Sequence, residues 1–332
     1  MNQKVVLGID VGGTKTECLI LQLCDSKEQS IESDHKEIIS YKNQNFKVLA
    51  RERIKTLKEE GYQSFLDRLH TFILELLKNF DLKLSQVCSL GVGVPGPVCP
   101  KTHVMLNGGT QMLIGRDFKL DLMSLFPSVG ISIENDANCF ALAEGLVGAG
   151  EVYCNEKGLD INQLNSIGLI LGTGCGGGLV LRGQLYSGVN GASMEVGHTR
   201  LFPQSELQCY CSQYGCAELF VSGTAIEKHY ERLTGLEKPA YDVLDKAEIE
   251  VRNRIVTDFR EHLLILLTNL SNTLNPHIII LGGGLSKQLD LYDGLQLMLD
   301  ENVYTPRSAP TLCFAQLGDS AGVFGAALNS IP

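Results

Sequence analysis

Asp10 is followed by Gly12, Gly13, Thr14 and Lys15, and about 160 residues later Gly172, Thr173 and Gly174 repeat the theme between two apolar runs. A turn without Cβ atoms lets successive backbone N–H groups point at the oxygens of a phosphate. Thr14 and Thr173 add hydroxyl donors at equivalent places, and the Asp10 carboxylate suits a hydrated Mg²⁺ held against that phosphate. One such turn is more simply a hairpin glycine. Two of them, with Asp10 and a third loop at Gly282-Gly283-Gly284, point to a bound nucleotide. A dinucleotide fingerprint does not fit, because the strand-like Leu179-Val180-Leu181 follows the second turn where a helix is required.

Two further clusters carry chemistry. Glu134-Asn135-Asp136-Ala137-Asn138 follows an apolar strand and opens an apolar helix. Asn135 or Asp136 is then either a plain helix N-cap or part of a site, with Asp136 taking the proton of an attacking hydroxyl and Asn135 binding its neighbours. Phosphoryl transfer needs little beyond an aligned nucleophile, a base and spread charge stabilisation. The other cluster is His198, Cys209, Cys211 and Cys216. One imidazole and three thiolates make a closed tetrahedral set for a structural Zn²⁺. A metal there would pin Glu195 for contact with a polar substrate.

The elements that must position these groups read as two similar α/β halves. Val5–Asp10 and Thr16–Leu23 form a strand, glycine turn and strand; Ser166–Leu171 and Gly178–Leu181 repeat it. Residues 24–45 are a polar hairpin tip or surface insertion, and Lys47–Thr56 is a further strand. Gly61–Phe80 has apolar residues at helical spacing (Phe65, Leu69, Phe72, Leu76, Phe80). Val87–Val94 and Ile278–Leu281 read as buried strands, Ala137–Val147 and Asp258–Leu274 as helices. The apolar face of the last (Phe259, Leu263, Leu266, Leu267, Leu270) is either core or a dimer seam. The repeat predicts two lobes whose glycine turns face each other across a cleft.

Composition bounds the rest. With 332 residues the chain has room for two domains, and a net charge of −10 disfavours a dedicated nucleic-acid binder. No apolar run approaches a membrane span and no signal peptide precedes the first strand, so the expectation is a soluble cytoplasmic protein. Eleven cysteines cannot all pair, and Cys18, Cys24, Cys88, Cys139 and Cys313 read as buried small hydrophobes in a reducing compartment.

In order along the chain, Asp10-x-Gly12-Gly13-Thr14-Lys15, Gly93-Val94-Pro95-Gly96-Pro97, Glu134-Asn135-Asp136-Ala137-Asn138, Leu171-Gly172-Thr173-Gly174, Glu195-x-Gly197-His198, Cys209-x-Cys211-x₄-Cys216-x-Glu218 and Leu281-Gly282-Gly283-Gly284 resemble the ROK family of the actin-like ATPase superfamily. The resemblance spans essentially the whole chain and leans towards bacterial fructokinase and related hexose kinases. It implies an α/β fold of two ribonuclease-H-like lobes with ATP in the central cleft. The smaller lobe would comprise residues 1–120 plus about 320–332, and the larger lobe 121–319 with the zinc loop. Asp10, Gly12, Gly13, Thr14, Lys15, Gly172, Thr173 and Gly174 would line the phosphates, with Gly283 and Gly284 by the adenosine. Asp136 would be the general base on a hexose hydroxyl, that on C6, with Asn107, Asn135, Glu195, His198 and Glu218 binding the others. His198, Cys209, Cys211 and Cys216 would hold zinc, and the enzyme would be a homodimer.

The acceptor expected first is fructose or a close hexose such as mannose or glucose; the alternative is N-acetylglucosamine or N-acetylmannosamine. A sugar-responsive repressor would need a helix-turn-helix where only nine residues precede Asp10, and a silent sugar sensor would not need Asp136. The chain departs from the family pattern at Asn107-Gly108-Gly109-Thr110-Gln111-Met112, where a second Asn and a Trp are usual. It departs again at Ser193-Met194, usually Ala-Gly, and at Ser212, usually Gly.

Overall fold

The computed structural model describes residues 4–24, 38–108, 110–305 and 308–332. Strands β1 (Val5–Val11) and β2 (Lys15–Cys24) form the first hairpin. The next two, β3 (Ile38–Tyr41) and β4 (Gln44–Lys55), extend its edge. The polar stretch after Cys24 thus ends in a strand, and its residues 25–37 lie outside the described residues. Helix α1 (Tyr62–Asn79), β5 (Val87–Val94), α2 (Phe118–Leu125) and β6 (Gly130–Asn135) complete a six-stranded sheet of order β3-β4-β2-β1-β5-β6. The edge strand β6 lies beyond residue 120, where the smaller lobe was expected to end.

Helices α3 (Asp136–Val147) and α4 (Ala149–Lys157) lead to the second hairpin, β7 (Ser166–Leu171) and β8 (Cys175–Leu181), with β9 (Gln184–Leu185) at its edge. After the cysteine loop come α5 (Gly223–Thr234), α6 (Ala240–Lys246), α7 (Ile249–Leu274), β10 (Ile278–Gly282), α8 (Leu295–Asn302), β11 (Thr311–Phe314) and α9 (Ala321–Ser330). The second sheet runs β11-β10-β7-β8-β9. Its core order β8-β7-β10-β11 matches β2-β1-β5-β6 of the first, with an antiparallel hairpin followed by two parallel strands in each. The internal repeat is therefore visible in topology as well as in the turns.

Helices α3 and α9 pack on each other between the sheets, and apolar residues of both sheets meet them in one core: Val6 and Leu19 from the first, Val180 and Ile280 from the second. The approach is so close that side chains are excluded. A Cβ on Gly168 would lie 2.7 Å from the Ala141 Cα, and one on Gly178 2.6 Å from the Ala141 Cβ. Gly8 and Gly91 are pressed in the same way against the α9 backbone at Val323 and Ala326. These strand glycines serve helix packing.

The stripe on α1 is Phe65, Leu66, Leu69, Ile73, Leu76 and Leu77, while Phe80 is exposed beyond the helix end. Helix α7 begins nine residues earlier than its apolar run suggested, because Ile255 and Val256 extend the buried face. Phe259, Leu263, Leu266, Leu267 and Leu270 are buried within the monomer, so that face is core. Cys18 and Cys139 are buried, but Cys24 and Cys313 are half-buried and Cys88 is exposed, since it sits on the outward phase of β5. Among the described residues no helix is long and apolar enough to cross a membrane.

Candidate active site between the glycine turns

The turn after β1 is closed by the Gly12 amide donating to the Lys15 carbonyl at 3.0 Å, and a Cβ on Gly12 would press on that oxygen at 2.8 Å. Thr56, just after β4, braces it: its hydroxyl donates to the Gly12 carbonyl at 2.7 Å and its amide to the Thr14 carbonyl at 3.0 Å. Gly13 has open space on its Cβ side. The second turn is closed by the Gly172 amide on the Gly174 carbonyl, and the start of α5 docks on it through the Gly223 amide to the Gly172 carbonyl at 2.7 Å. Gly283, at φ +83°, lies against the Leu171 backbone, so the third glycine loop rests on the second. Gly284 and Gly172 again face open space.

Between these turns stands a row of carboxylates. Asp10 ends β1 with its carboxyl against the start of α9, where a Cβ on Gly322 would lie 2.7 Å from Oδ2. Burial, reinforced by Glu17, raises its pKa to about 6 against the pull of Lys15 and Arg53. Asp136 opens α3 and is half-buried. Burial and then the nearby Asp10 raise its pKa to about 7, opposed by the Ala137 amide, which donates to Oδ1 at 2.8 Å. Glu195 adds to that rise and is itself pushed up, by burial first, with Glu218 adding and His198 opposing. Glu218 closes the row, its Oε2 accepting the Cys175 amide at 3.0 Å against Gly174. A carboxylate poised near neutral pH beside such glycine turns is equipped to take a proton from a hydroxyl.

Asn135 caps α3, its Oδ1 accepting the amides of Ala137 at 2.9 Å and Asn138 at 3.2 Å. Capping engages its Oδ1 alone, so the cap does not exclude the role expected at a substrate hydroxyl. Glu134 is wholly occupied: it accepts from the Asn135 amide and Asn138 Nδ2 at 2.9 Å each, and from the Ser187 hydroxyl at 2.5 Å. Asn107 is exposed on the loop after β5, its Oδ1 accepting the Gly108 amide at 2.9 Å. Gly109 lies outside the described residues.

The ligating atoms of His198, Cys209, Cys211 and Cys216 all lie within 4.8 Å of one another. His198 turns Nδ1 towards Cys209 Sγ at 3.6 Å, and Cys211 and Cys216 are 3.6 Å apart. All eleven cysteines are free. These spacings suit one tetrahedral ion of the zinc type. The cluster also joins Glu195, three residues before His198, to Glu218, two after Cys216. Ser212 and Met194, where the family usually has Gly, both adopt left-handed backbone (φ +69° and +60°), a conformation that costs a side-chain-bearing residue about 1–2 kcal/mol. Met194 packs on the apolar core of the second lobe and lines a hollow with Leu179 and Leu274.

A family model described as the ROK family matches residues 6–330. The chain belongs to the ROK family. It is 32% identical over 335 residues to the N-acetyl-D-glucosamine kinase of Aliivibrio salmonicida, covering 98% of this chain and 99% of that one. Among solved structures it resembles the ROK hexokinase of Thermus thermophilus, with 25% identity, a TM-score of 0.79, and 98% and 97% of the two chains covered. A ROK family glucokinase from Streptomyces griseus, in complex with glucose and AMPPNP, shares the fold at 22% identity and a TM-score of 0.71 over 98% and 99% of the chains.

Three features of this ROK chain escaped the sequence reading. Tyr210 sits between two cysteines and its hydroxyl pairs with His198 Nε2 at 2.8 Å. Nothing in the sequence sets that direction. Lys287 and Asp319 pair at 3.2 Å between the third glycine loop and the turn before α9. Glu17, opposite Asp10 in the hairpin register, is 3% exposed and accepts from Arg53 Nε at 2.9 Å and the Ser320 hydroxyl at 2.8 Å. A lone acid inside the apolar run Thr16–Leu23 was its available signal. Glu17→Gln is expected to cost about 1–2 kcal/mol in urea unfolding, because bonds to charged partners become neutral ones. An unchanged midpoint would show that the network contributes nothing to stability.

Proposed function

We propose that this ROK chain is an ATP-dependent sugar kinase whose acceptor is an N-acetylhexosamine, N-acetylglucosamine foremost. The observation that carries the reading is Asp136, half-buried at the mouth of α3 beside Asp10, with its pKa raised to about 7 between two glycine turns. In this reading the acceptor hydroxyl, that on C6, attacks the γ-phosphorus of ATP. Its proton passes to Asp136 as the bond to the leaving ADP oxygen breaks. Asp10, Gly12, Gly13, Thr14, Lys15, Gly172, Thr173 and Gly174 receive the phosphates, and Gly283 and Gly284 the adenosine. Asn107, Asn135, Glu195, His198 and Glu218 bind the sugar.

Asp10 would hold Mg²⁺, whose chemistry is to neutralise the phosphate oxygens. His198, Cys209, Cys211 and Cys216 would hold a structural zinc that fixes Glu195 and Glu218 in place. The first sequence preference, fructose, gives way to its alternative, because the full-length relative from Aliivibrio salmonicida is an N-acetyl-D-glucosamine kinase. The lobe division and a cytoplasmic homodimer belong to the same proposal, and light scattering on the purified chain tests the dimer.

The deciding experiment is a coupled ADP-release assay with ATP and Mg²⁺ across N-acetylglucosamine, N-acetylmannosamine, glucose, mannose and fructose. The expected result is a kcat/KM on N-acetylglucosamine at least roughly tenfold above fructose, since a site built to bond an amide leaves its polar groups unpaired on other sugars. Fructose as best acceptor would reverse the choice of sugar, and no turnover on any of them would sink the kinase reading.

A further inference from the structure

Glu134 stands on β6 one residue before Asn135 and two before Asp136, and its two oxygens hold different parts of the chain. Oε1 accepts the Asn135 amide and Asn138 Nδ2 at 2.9 Å each, which fixes the start of α3. Oε2 accepts the Ser187 hydroxyl at 2.5 Å. Ser187 follows β9, the edge strand of the second sheet, whereas β6 is the edge of the first. One carboxylate therefore ties the two sheets together beside the candidate base. Its donors are neutral and the acceptor is an anion, which gives the stronger kind of hydrogen bond.

Ser187 in turn carries the approach to Glu195. Residues 187–193 are tied into a closed loop: the Ser193 amide donates to the Ser187 carbonyl at 3.1 Å, and the Ser193 hydroxyl to the Tyr186 carbonyl. Gly188, at φ +77°, lets the ends of the loop pinch, since a Cβ there would stand 3.1 Å from that of Ser193. Gly191, at φ +70°, lies against the Val98 carbonyl beyond β5, which a Cβ would meet at 2.2 Å. The loop thus touches the side of the first sheet at two points, and Glu195 follows two residues after it closes. The bond from Ser187 to Glu134 sets where that loop stands relative to Asp136.

We propose that Glu134 and Ser187 are positioning residues that fix Glu195 against Asp136 and so hold an acceptor pocket built from both sheets. Neither is a substrate ligand. Their role rests on the kinase reading of Asp136 and Glu195. In Ser187→Ala the Oε1 bonds that hold the start of α3 remain, and so does the bond from the Ala137 amide to Asp136. The loss should therefore fall on the sugar and not on the chemical step.

The test compares variants with a wild-type chain that turns over its best acceptor sugar with ATP and Mg²⁺. Ser187→Ala is expected to raise KM for the sugar about tenfold, the worth of one hydrogen bond to a charged group, with kcat and KM for ATP within about threefold of wild type. Calorimetric binding of the sugar without nucleotide should weaken by the same factor. Glu134→Ala should raise the sugar KM at least as far, and adding Ser187→Ala to it should change nothing more, because the shared bond is already gone. An unchanged sugar KM in Ser187→Ala, an equal rise in both KM values, or effects that multiply in the double variant would each overturn the positioning role and leave the kinase reading standing. If Glu134→Ala does not fold, Ser187→Ala alone decides. A wild type that neither binds nor turns over any sugar would instead sink the kinase reading, and the positioning role with it.

Discussion

Asp136→Asn is expected to lower kcat by about 10²–10⁴, the range a positioned general base supplies, while binding of sugar and ATP survives. The amide keeps the size of the carboxylate and its acceptor for the Ala137 amide, so α3 keeps its first turn. What is lost is the group that takes the proton. The wild-type pH profile follows from the same residue. With its pKa raised to about 7, chiefly by burial and then by Asp10, Asp136 is protonated below neutrality. Turnover should therefore rise about tenfold per pH unit up to about 7 and level off above 8.

Stability runs the other way. A carboxylate whose folded pKa is raised makes its favourable contribution below its unfolded value near 4, and that contribution is lost as pH climbs through about 7. Asp136→Asn, free of Mg²⁺ and nucleotide, should thus gain on the wild type by on the order of a few kcal/mol at pH 8 and by little at pH 4, read from urea midpoints. A mutant that turns over normally would remove Asp136 from the mechanism. A stability difference that does not change with pH would remove the raised pKa of Asp136.

Cys216→Ser is expected to abolish zinc binding, from about one ion per chain to a small fraction, measured by elemental analysis of protein purified without chelator. The consequence should reach the sugar. Glu218 lies two residues beyond Cys216 and Glu195 three before His198, so loss of the ion would free both of these residues proposed to bind the acceptor. KM for the sugar should rise about 10–100-fold, the usual cost of losing an orienting shell, with a smaller effect on KM for ATP. Wild-type protein that carries no zinc and melts identically with and without a chelator would contradict the assignment. An equal rise in both KM values would point to general unfolding.

Much of this protein was legible in its residues. The glycine turns and the short apolar runs beside them mark hairpins by local pattern, which is why β1–β2 and β7–β8, and the repeat they imply, could be read directly. The Cys-x-Cys-x₄-Cys spacing with an upstream His is equally local, and those four side chains do converge.

What the sequence could not decide was set by contacts between distant segments. Gly8, Gly91, Gly168 and Gly178 look in sequence like the turn glycines beside them, yet they are bare because α9 and α3 press on their strands. Asn135 looked like a choice between cap and ligand, and only its position over the first turn of α3 shows that the cap engages its oxygen alone and does not exclude the other role. The perturbation of Asp136 has the same origin. Its titration depends on burial and on Asp10, 126 positions away in the chain, and a carboxylate's neighbours across a cleft are fixed by tertiary packing rather than by anything in its own segment.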